Sequence, residues 1–371
     1  MRFTCAQTDF MRGVATVERA VSSKDQMPAL SGILLVAQDQ RIRLVATDLE
    51  LALECTFTAE IDEPGAAVID GRMLSQMVRR SPGEQISISP AGGEDERRLK
   101  LRSGSAQFIV HTLAAEEFPA LPTVAEADWI TLGSDRLATL FRRTVFAAAD
   151  DDGRPFLSGV CIELDGHELR CVATDSYQLT IDKEPLPAEH KAMRTILPRR
   201  SVQELVRSFG GVQGEVRFCV AQNQAVFESA SIKLISRLIE GEFPNYAQVF
   251  PNERPTVAEL DRAALLSALE RSVLITQRGT PWVLLDAQAE GRLAISAREA
   301  EIGEAYEELE ITLTGEPNKN AYNARYLIDA LRALDGERVL LEIRPGGKQG
   351  SVRLVGDEAF TYIIMPTVIH Q

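Results

Sequence analysis

An α+β fold is predicted, built as three repeated domains, each with two helices packed on antiparallel sheets. Three observations predict it: internal self-similarity at a spacing of roughly 125 residues, helical patterns that recur at that spacing, and strand-like alternation between them. At 371 residues the chain is long enough for two or three domains of roughly 100 to 150 residues each.

The repeats come first. LSGILLVAQDQRIRLVATDLEL, Leu30 to Leu51, matches LSGVCIELDGHELRCVATDSYQL, Leu157 to Leu179, with L-S-G at the start of both and V-A-T-D near the end. E-F-P recurs in EEFPALP from Glu116 and GEFPNYAQVFP from Gly241. Boundaries near 126 and 254 then divide the chain into residues 1–125, 126–253 and 254–371. Within each unit the order is a helix, alternating strands, a second helix, and more strands. First helices are expected near Thr8–Arg19, Asp135–Phe146 and Asp261–Leu274, where Phe10, Val14 and Val17 or Leu137, Phe141 and Thr144 fall on one side. Runs such as RIRLVA from Arg41 and ELRCVA from Glu168 alternate as strands with one buried face do. Second helices follow in VIDGRMLSQMVRR, ILPRRSVQELVRS and YNARYLIDALRAL. Their apolar faces are Leu74, Met77 and Val78, then Val202, Leu205 and Val206, then Leu327, Ala330 and Leu331.

Opposite those faces lie the pairs Arg72 and Arg79, Arg200 and Arg207, and Arg325 and Arg332, each two helical turns apart. The six helices hold 14 basic and 7 acidic residues in a chain whose net charge is -14. That acidity argues against a surface that coats nucleic acid everywhere, but a repeated basic helix face suits contacts to phosphates without sequence preference. Solvated helix faces explain one such pair; recurrence in three repeats favours a polyanion.

Other chemistries find little support. Five separated cysteines, Cys5, Cys55, Cys161, Cys171 and Cys219, all in strand-like segments, contain no C-x-x-C pair and suit a reducing compartment. Four histidines lack metal-ligand spacing. The N-terminus reaches Asp9 before any signal-peptide core develops, and no run approaches a membrane span, so a cytoplasmic protein is expected. Asp48 and Asp175 each close a V-A-T-D segment and read as turn residues accepting backbone N–H bonds. No nucleotide-binding loop or nucleophile elbow appears; GGKQG at 346–350 reads as a hairpin turn. Neither a catalytic residue, a metal nor a cofactor is expected.

The chain resembles the bacterial DNA polymerase III beta subunit family, the sliding clamps, on these residues: the MRFT start, Lys24 followed by Met27-Pro28-Ala29-Leu30-Ser31-Gly32-Ile33-Leu34, both V-A-T-D segments, Glu242-Phe243-Pro244-Asn245-Tyr246, and Met365-Pro366. The resemblance covers essentially the whole chain. It implies the DNA clamp fold and a head-to-tail homodimer closed into a ring around duplex DNA. Such a ring is a non-catalytic processivity factor that tethers the replicative polymerase and clamp loader. It implies DNA-facing roles for Lys24, Arg72, Arg79, Arg199 and Arg200. It implies a pocket for short linear peptides from Leu157, Thr174, Tyr177, Leu179, Pro244, Val249, Ile363, Met365 and Pro366. The joint between subunits would set Phe108 and Val110 against Leu274 and Ile275, with Glu301, Glu304, Glu307 and Glu308 nearby. Two departures stand out. After T-D, relatives often carry Gly, a ring, Arg and Leu, where this chain has Ser176-Tyr177-Gln178-Leu179. Asp150-Asp151-Asp152 also places three carboxylates where relatives often contact DNA. A specialised clamp paralogue, or a repeat scaffold that binds replication or repair proteins without encircling DNA, is the alternative.

Overall fold

The structure is a computed structural model that describes residues 1–22, 27–92, 97–122, 124, 128–150, 153–250, 256–276 and 281–367. Among the described residues six α-helices form: α1 (Gln7–Val17), α2 (Gly71–Arg79), α3 (Ser134–Val145), α4 (Arg199–Phe209), α5 (Arg262–Ser272) and α6 (Ala324–Ala333). They fall on the six helices read from the sequence, and their starts have local causes. Asp70 caps α2 by accepting from the Met73 N–H at 2.7 Å, Asp261 caps α5 from Ala264 at 2.7 Å, and Asn323 caps α6 from Arg325 at 3.0 Å. Among the described residues no helix is long and apolar enough to cross a membrane.

The chain divides into two compact units, residues 1–137 with 204–238, and residues 138–203 with 239–371. In the first, a five-stranded sheet has the order β5 (Glu60–Glu63), β1 (Arg2–Ala6), β7 (Gln85–Pro90), β8 (Arg98–Ser103), β9 (Ala106–His111). An eight-stranded sheet in the same unit runs β10 (Ile130–Gly133), β13 (Glu215–Ala221), β14 (Gln224–Glu228), β15 (Ile232–Arg237), β4 (Leu51–Thr58), β3 (Arg41–Thr47), β2 (Gly32–Gln38), β6 (Gly65–Asp70). The second unit holds a seven-stranded sheet, β11 (Gly159–Thr174), β12 (Gln178–Pro198), β24 (Thr361–Ile364), β23 (Gly350–Leu354), β22 (Arg338–Glu342), β16 (Thr256–Asp261), β20 (Thr312–Gly315). Its other sheet is β19 (Gly303–Glu310), β18 (Arg292–Glu299), β17 (Trp282–Gln288), β21 (Asn318–Asn323). Every named pair is antiparallel.

The helix faces named from the sequence are the buried ones. Leu74, Met77, Val78, Val202, Leu205, Leu327, Ala330 and Leu331 are buried and Val206 is half-buried, while Arg72, Arg79, Arg200, Arg207, Arg325 and Arg332 are exposed. The repeated L-S-G also has a physical reason. Gly32 pairs with Asp70 and Gly159 with Pro198, and a Cβ at either would collide, with Val68 at the first and with the Leu197 carbonyl at the second. All five cysteines are buried, free and in strands. Burial pushes the Cys161 thiol up to about 12 and the Cys55 thiol to about 11, which leaves both as inert core groups.

Candidate functional site

In the second unit the hairpin from β11 into β12 turns through residues 175–178. Thr174 Oγ1 donates to the Gln178 carbonyl at 2.6 Å and accepts from the Ser176 N–H at 3.1 Å. Asp175 Oδ1 accepts from the Tyr177 and Gln178 N–H groups at 2.8 and 2.9 Å. The V-A-T-D signature is thus an Asx-type turn, as its sequence indicates. Ser176 sits at φ 84°, and Arg154 clasps it, donating to Ser176 Oγ at 2.8 Å and to the Asp175 carbonyl at 3.3 Å. The Met365 N–H donates to the Tyr177 carbonyl at 2.8 Å, tying the end of β24 to this turn.

Beneath the turn lies an apolar cluster that includes Leu157, Leu179 and Ile363, with Val249 packed against it. Four of the nine pocket residues named from the sequence therefore meet in one cluster. Thr174 is buried with its hydroxyl committed to the turn, Tyr177, Pro244 and Met365 are exposed, and Pro366 is half-buried. Phe243, Tyr246, Phe250 and Phe156 join the same cluster, and the sequence reading did not assign them. For Phe243 and Tyr246 the signal was present in the E-F-P-N-Y segment, from which only Pro244 was drawn; Phe156 and Phe250 lie outside it. Tyr246 and Phe250 also line, with Ile181, a cavity of about 490 Å³ that Arg170, Lys183 and Arg194 line as well. Tyr246 donates to Glu163 at 2.6 Å, and Glu163 also pairs with Arg194 at 2.9 Å. Burial and then Glu163 push the Tyr246 phenol up, so it stays a donor.

The basic positions differ in how freely their charge is offered. Arg72 and Arg325, at the starts of α2 and α6, hold no salt bridge among the described residues. Those at the helix ends are paired: Arg79 with Glu18, Arg207 with Glu204 at 2.6 Å, and Arg332 with Glu270 at 2.7 Å. Arg200 is exposed at the start of α4. Arg199 is half-buried, donating to the Ala148 carbonyl at 3.1 Å and pairing with Asp150. One carboxylate of the Asp150 run is thereby neutralised locally; Asp151, Asp152 and Lys24 lie outside the described residues.

Of the residues expected at a subunit joint, Phe108, Val110, Glu304, Glu307 and Glu308 fall on two outer sheet strands, while Leu274, Ile275 and Glu301 lie in loops. β9 is the outer strand of the five-stranded sheet; Phe108 is half-buried there, Val110 is buried, and the neighbouring Ile109 is exposed. β19 is the outer strand of the four-stranded sheet. Glu304 and Tyr306 on it are exposed, as are Glu301 just before it and Leu274 past the end of α5, while Ile275 is half-buried. The strand behind β9 carries Arg98, Lys100 and Arg102, whereas β19 carries Glu304, Glu307, Glu308 and Glu310. Glu307 is held below the usual carboxylate range chiefly by its hydrogen bonds from Arg271, and Glu308 by those from Tyr306 and Arg292.

Comparison with known proteins matches three consecutive family models: DNA polymerase III beta subunit, N-terminal domain, over residues 1–122; central domain, over 131–245; and C-terminal domain, over 247–368. The beta sliding clamp of Bacillus subtilis (strain 168) is 28% identical over 377 residues, spanning 99% of this chain and 99% of its own. The crystal structure of the DNA polymerase sliding clamp from Bacillus subtilis superposes with a TM-score of 0.92 at 28% identity, covering 100% of both chains. A sliding clamp from Pseudomonas aeruginosa bound to griselimycin gives a TM-score of 0.92 at 27% identity, again covering 100% of both.

Proposed function

We propose, from the premise that the chain belongs to the DNA polymerase III beta subunit family of bacterial sliding clamps and is a DNA polymerase processivity factor, how its parts do that work. Two copies join head to tail, β9 of one against β19 of the other, and the domains bounded near 126 and 254 close a ring around duplex DNA in the cytoplasm. The two edges suit each other: an open strand backed by Arg98, Lys100 and Arg102 meets one bearing Glu304, Glu307, Glu308 and Glu310. Unlike edges favour heterologous pairing, which closes when the rotation closes.

The observation that carries the reading is the full-length match to three successive clamp domains. DNA is held by phosphate contacts from Lys24, Arg72, Arg79, Arg199 and Arg200, each weak and screened by salt, so the ring slides. Of these, Arg79 and Arg199 already face carboxylates, Glu18 and Asp150. Holding a polymerase by topology requires no bond-breaking group, and the ring catalyses nothing.

The polymerase and the clamp loader dock by short peptides whose aliphatic and aromatic side chains enter the cluster under Tyr177 and Met365, floored by Leu157, Leu179 and Ile363. Met365 adapts to different occupants, since a thioether packs into irregular gaps. The Pseudomonas relative is bound to griselimycin, and in this chain that ligand is assigned to the cluster under Tyr177 and Met365. The comparisons lend no support to a scaffold that never encircles DNA.

Light scattering and retention on DNA test the reading together. The protein is expected to be a dimer that, once loaded, stays on nicked circular DNA and is lost when that DNA is linearised. A monomer, or equal retention on both DNA forms, overturns it.

A further inference from the structure

We infer that Gln178 is a positioning residue of the peptide pocket: its buried amide ties the rim turn 175–178 to Tyr362 and so fixes where Tyr177 and Met365 stand against a ligand. The inference rests on the reading above that this pocket takes ligands.

Gln178 is 6% exposed and makes two side-chain hydrogen bonds. Its Nε2 donates to Asp175 Oδ2 at 3.1 Å, and its Oε1 accepts from the Tyr362 hydroxyl at 2.9 Å. The carboxylate decides which way the amide points, because only the NH₂ end can face Asp175 without repulsion. The carbonyl end must then face Tyr362, which is fully buried and also reaches the Tyr326 carbonyl of α6 at 3.2 Å. Asp175 in turn holds the Tyr177 N–H, and the Tyr177 carbonyl holds Met365. A fixed chain of bonds thus runs from α6 to both exposed rim residues.

The turn itself does not need the amide. In the first unit Thr47 and Ala52 close the same four-residue loop that Thr174 and Leu179 close, Asp48 Oδ1 accepts from the Glu50 and Leu51 N–H groups, and Leu49 has φ 75° where Ser176 has φ 84°. The residue standing where Gln178 stands is Leu51, buried and apolar. A buried polar side chain at the second turn only therefore points to a demand of position rather than of folding.

Calorimetry with griselimycin, on the whole protein, tests this with three variants. Gln178→Glu supplies its own control. When protonated, the introduced carboxyl donates to Asp175 and accepts from Tyr362 as the amide does; when ionised, it repels Asp175. Burial and the charges of Asp175 and Asp329 hold it protonated at low pH, against the pull of Arg154, which is bonded to Ser176 in the same turn, with Tyr326 and Tyr362 neutral throughout. Its affinity should match the natural protein at pH 5.5 and be about tenfold weaker at pH 8.5, while the natural protein changes less than twofold. Gln178→Leu, of the type the first turn accepts, should bind about tenfold more weakly at both pH values, and Tyr362→Phe several-fold more weakly. Affinities of Gln178→Glu within twofold of the natural protein at both pH values overturn the positioning role, whether or not Gln178→Leu folds. Absence of griselimycin binding to the natural protein instead overturns the pocket reading on which the role depends.

Discussion

Every second residue of β4 from Leu51 onward is apolar and buried: Leu51, Leu53, Cys55 and Phe57. That face packs on α1, where Phe57 meets Phe10 with ring centres 6.0 Å apart and lies so close to Gly13 that a Cβ there would be 2.9 Å from its ring. The same face of β12, entered from the same kind of turn, runs Gln178, Thr180 and Asp182, all buried. Thr180 donates to the Arg143 carbonyl of α3 at 3.0 Å, and Arg143 pairs with Asp182 at 3.5 Å and with Asp357 at 2.8 Å. One backbone, built twice, is held in the first unit by apolar packing and in the second by directional bonds. Apolar packing tolerates small sliding, whereas hydrogen bonds and ion pairs fix one placement. The directional version lies under the proposed ligand pocket.

Five substitutions sharpen or break that contrast. Arg143→Ala strands the buried Asp182 carboxylate and should lower stability by about 4 kcal/mol, read from urea unfolding. A loss below about 1 kcal/mol would mean that the polar face is not held by that cation. Phe57→Ala, its apolar counterpart, should cost about 3 kcal/mol by loss of burial and the cavity left behind.

The third prediction is a pH effect confined to the polar side. Burial would raise the Asp357 carboxyl, but the Ala359 N–H, Arg143 and the Phe360 N–H outweigh it and hold it below its ordinary range. A carboxylate depressed in the folded state contributes stability above its unfolded value of about 3.9 and loses it as pH falls through the lower folded value. Thermal unfolding midpoints should therefore drop more steeply below about pH 4 in the natural protein than in Asp357→Asn. Parallel curves would remove Asp357 from the ionic set.

The smallest effect tests whether the two turns share a backbone cost. Leu49→Gly and Ser176→Gly each relieve a left-handed residue and should raise stability by about 0.5 kcal/mol in thermal melts. A gain at Leu49 alone would show that the Arg154 clasp on Ser176 offsets the strain.

Much of this was legible in the chain because its causes are local. The helices follow from apolar spacing and caps such as Asp70 and Asp261, and the turns follow from T-D at 47–48 and 174–175. What was not legible depends on distant partners. Gln178 looks like a missing arginine until Tyr362, 184 residues away in sequence, is placed beside it. The six helix arginines look equivalent until Glu18, Glu204 and Glu270 are found against three of them. Nor does alternation alone reveal that β13, β14 and β15 extend the sheet containing β4.

The paired glycines of the L-S-G segments also say where the triplicated chain has been free to change. In the third repeat the corresponding register places Trp282 opposite Asn323, so the largest side chain stands where the first two repeats accept none. The main chain there is open enough to carry a ring, so this position of the third repeat is freed from the glycine that the first two require.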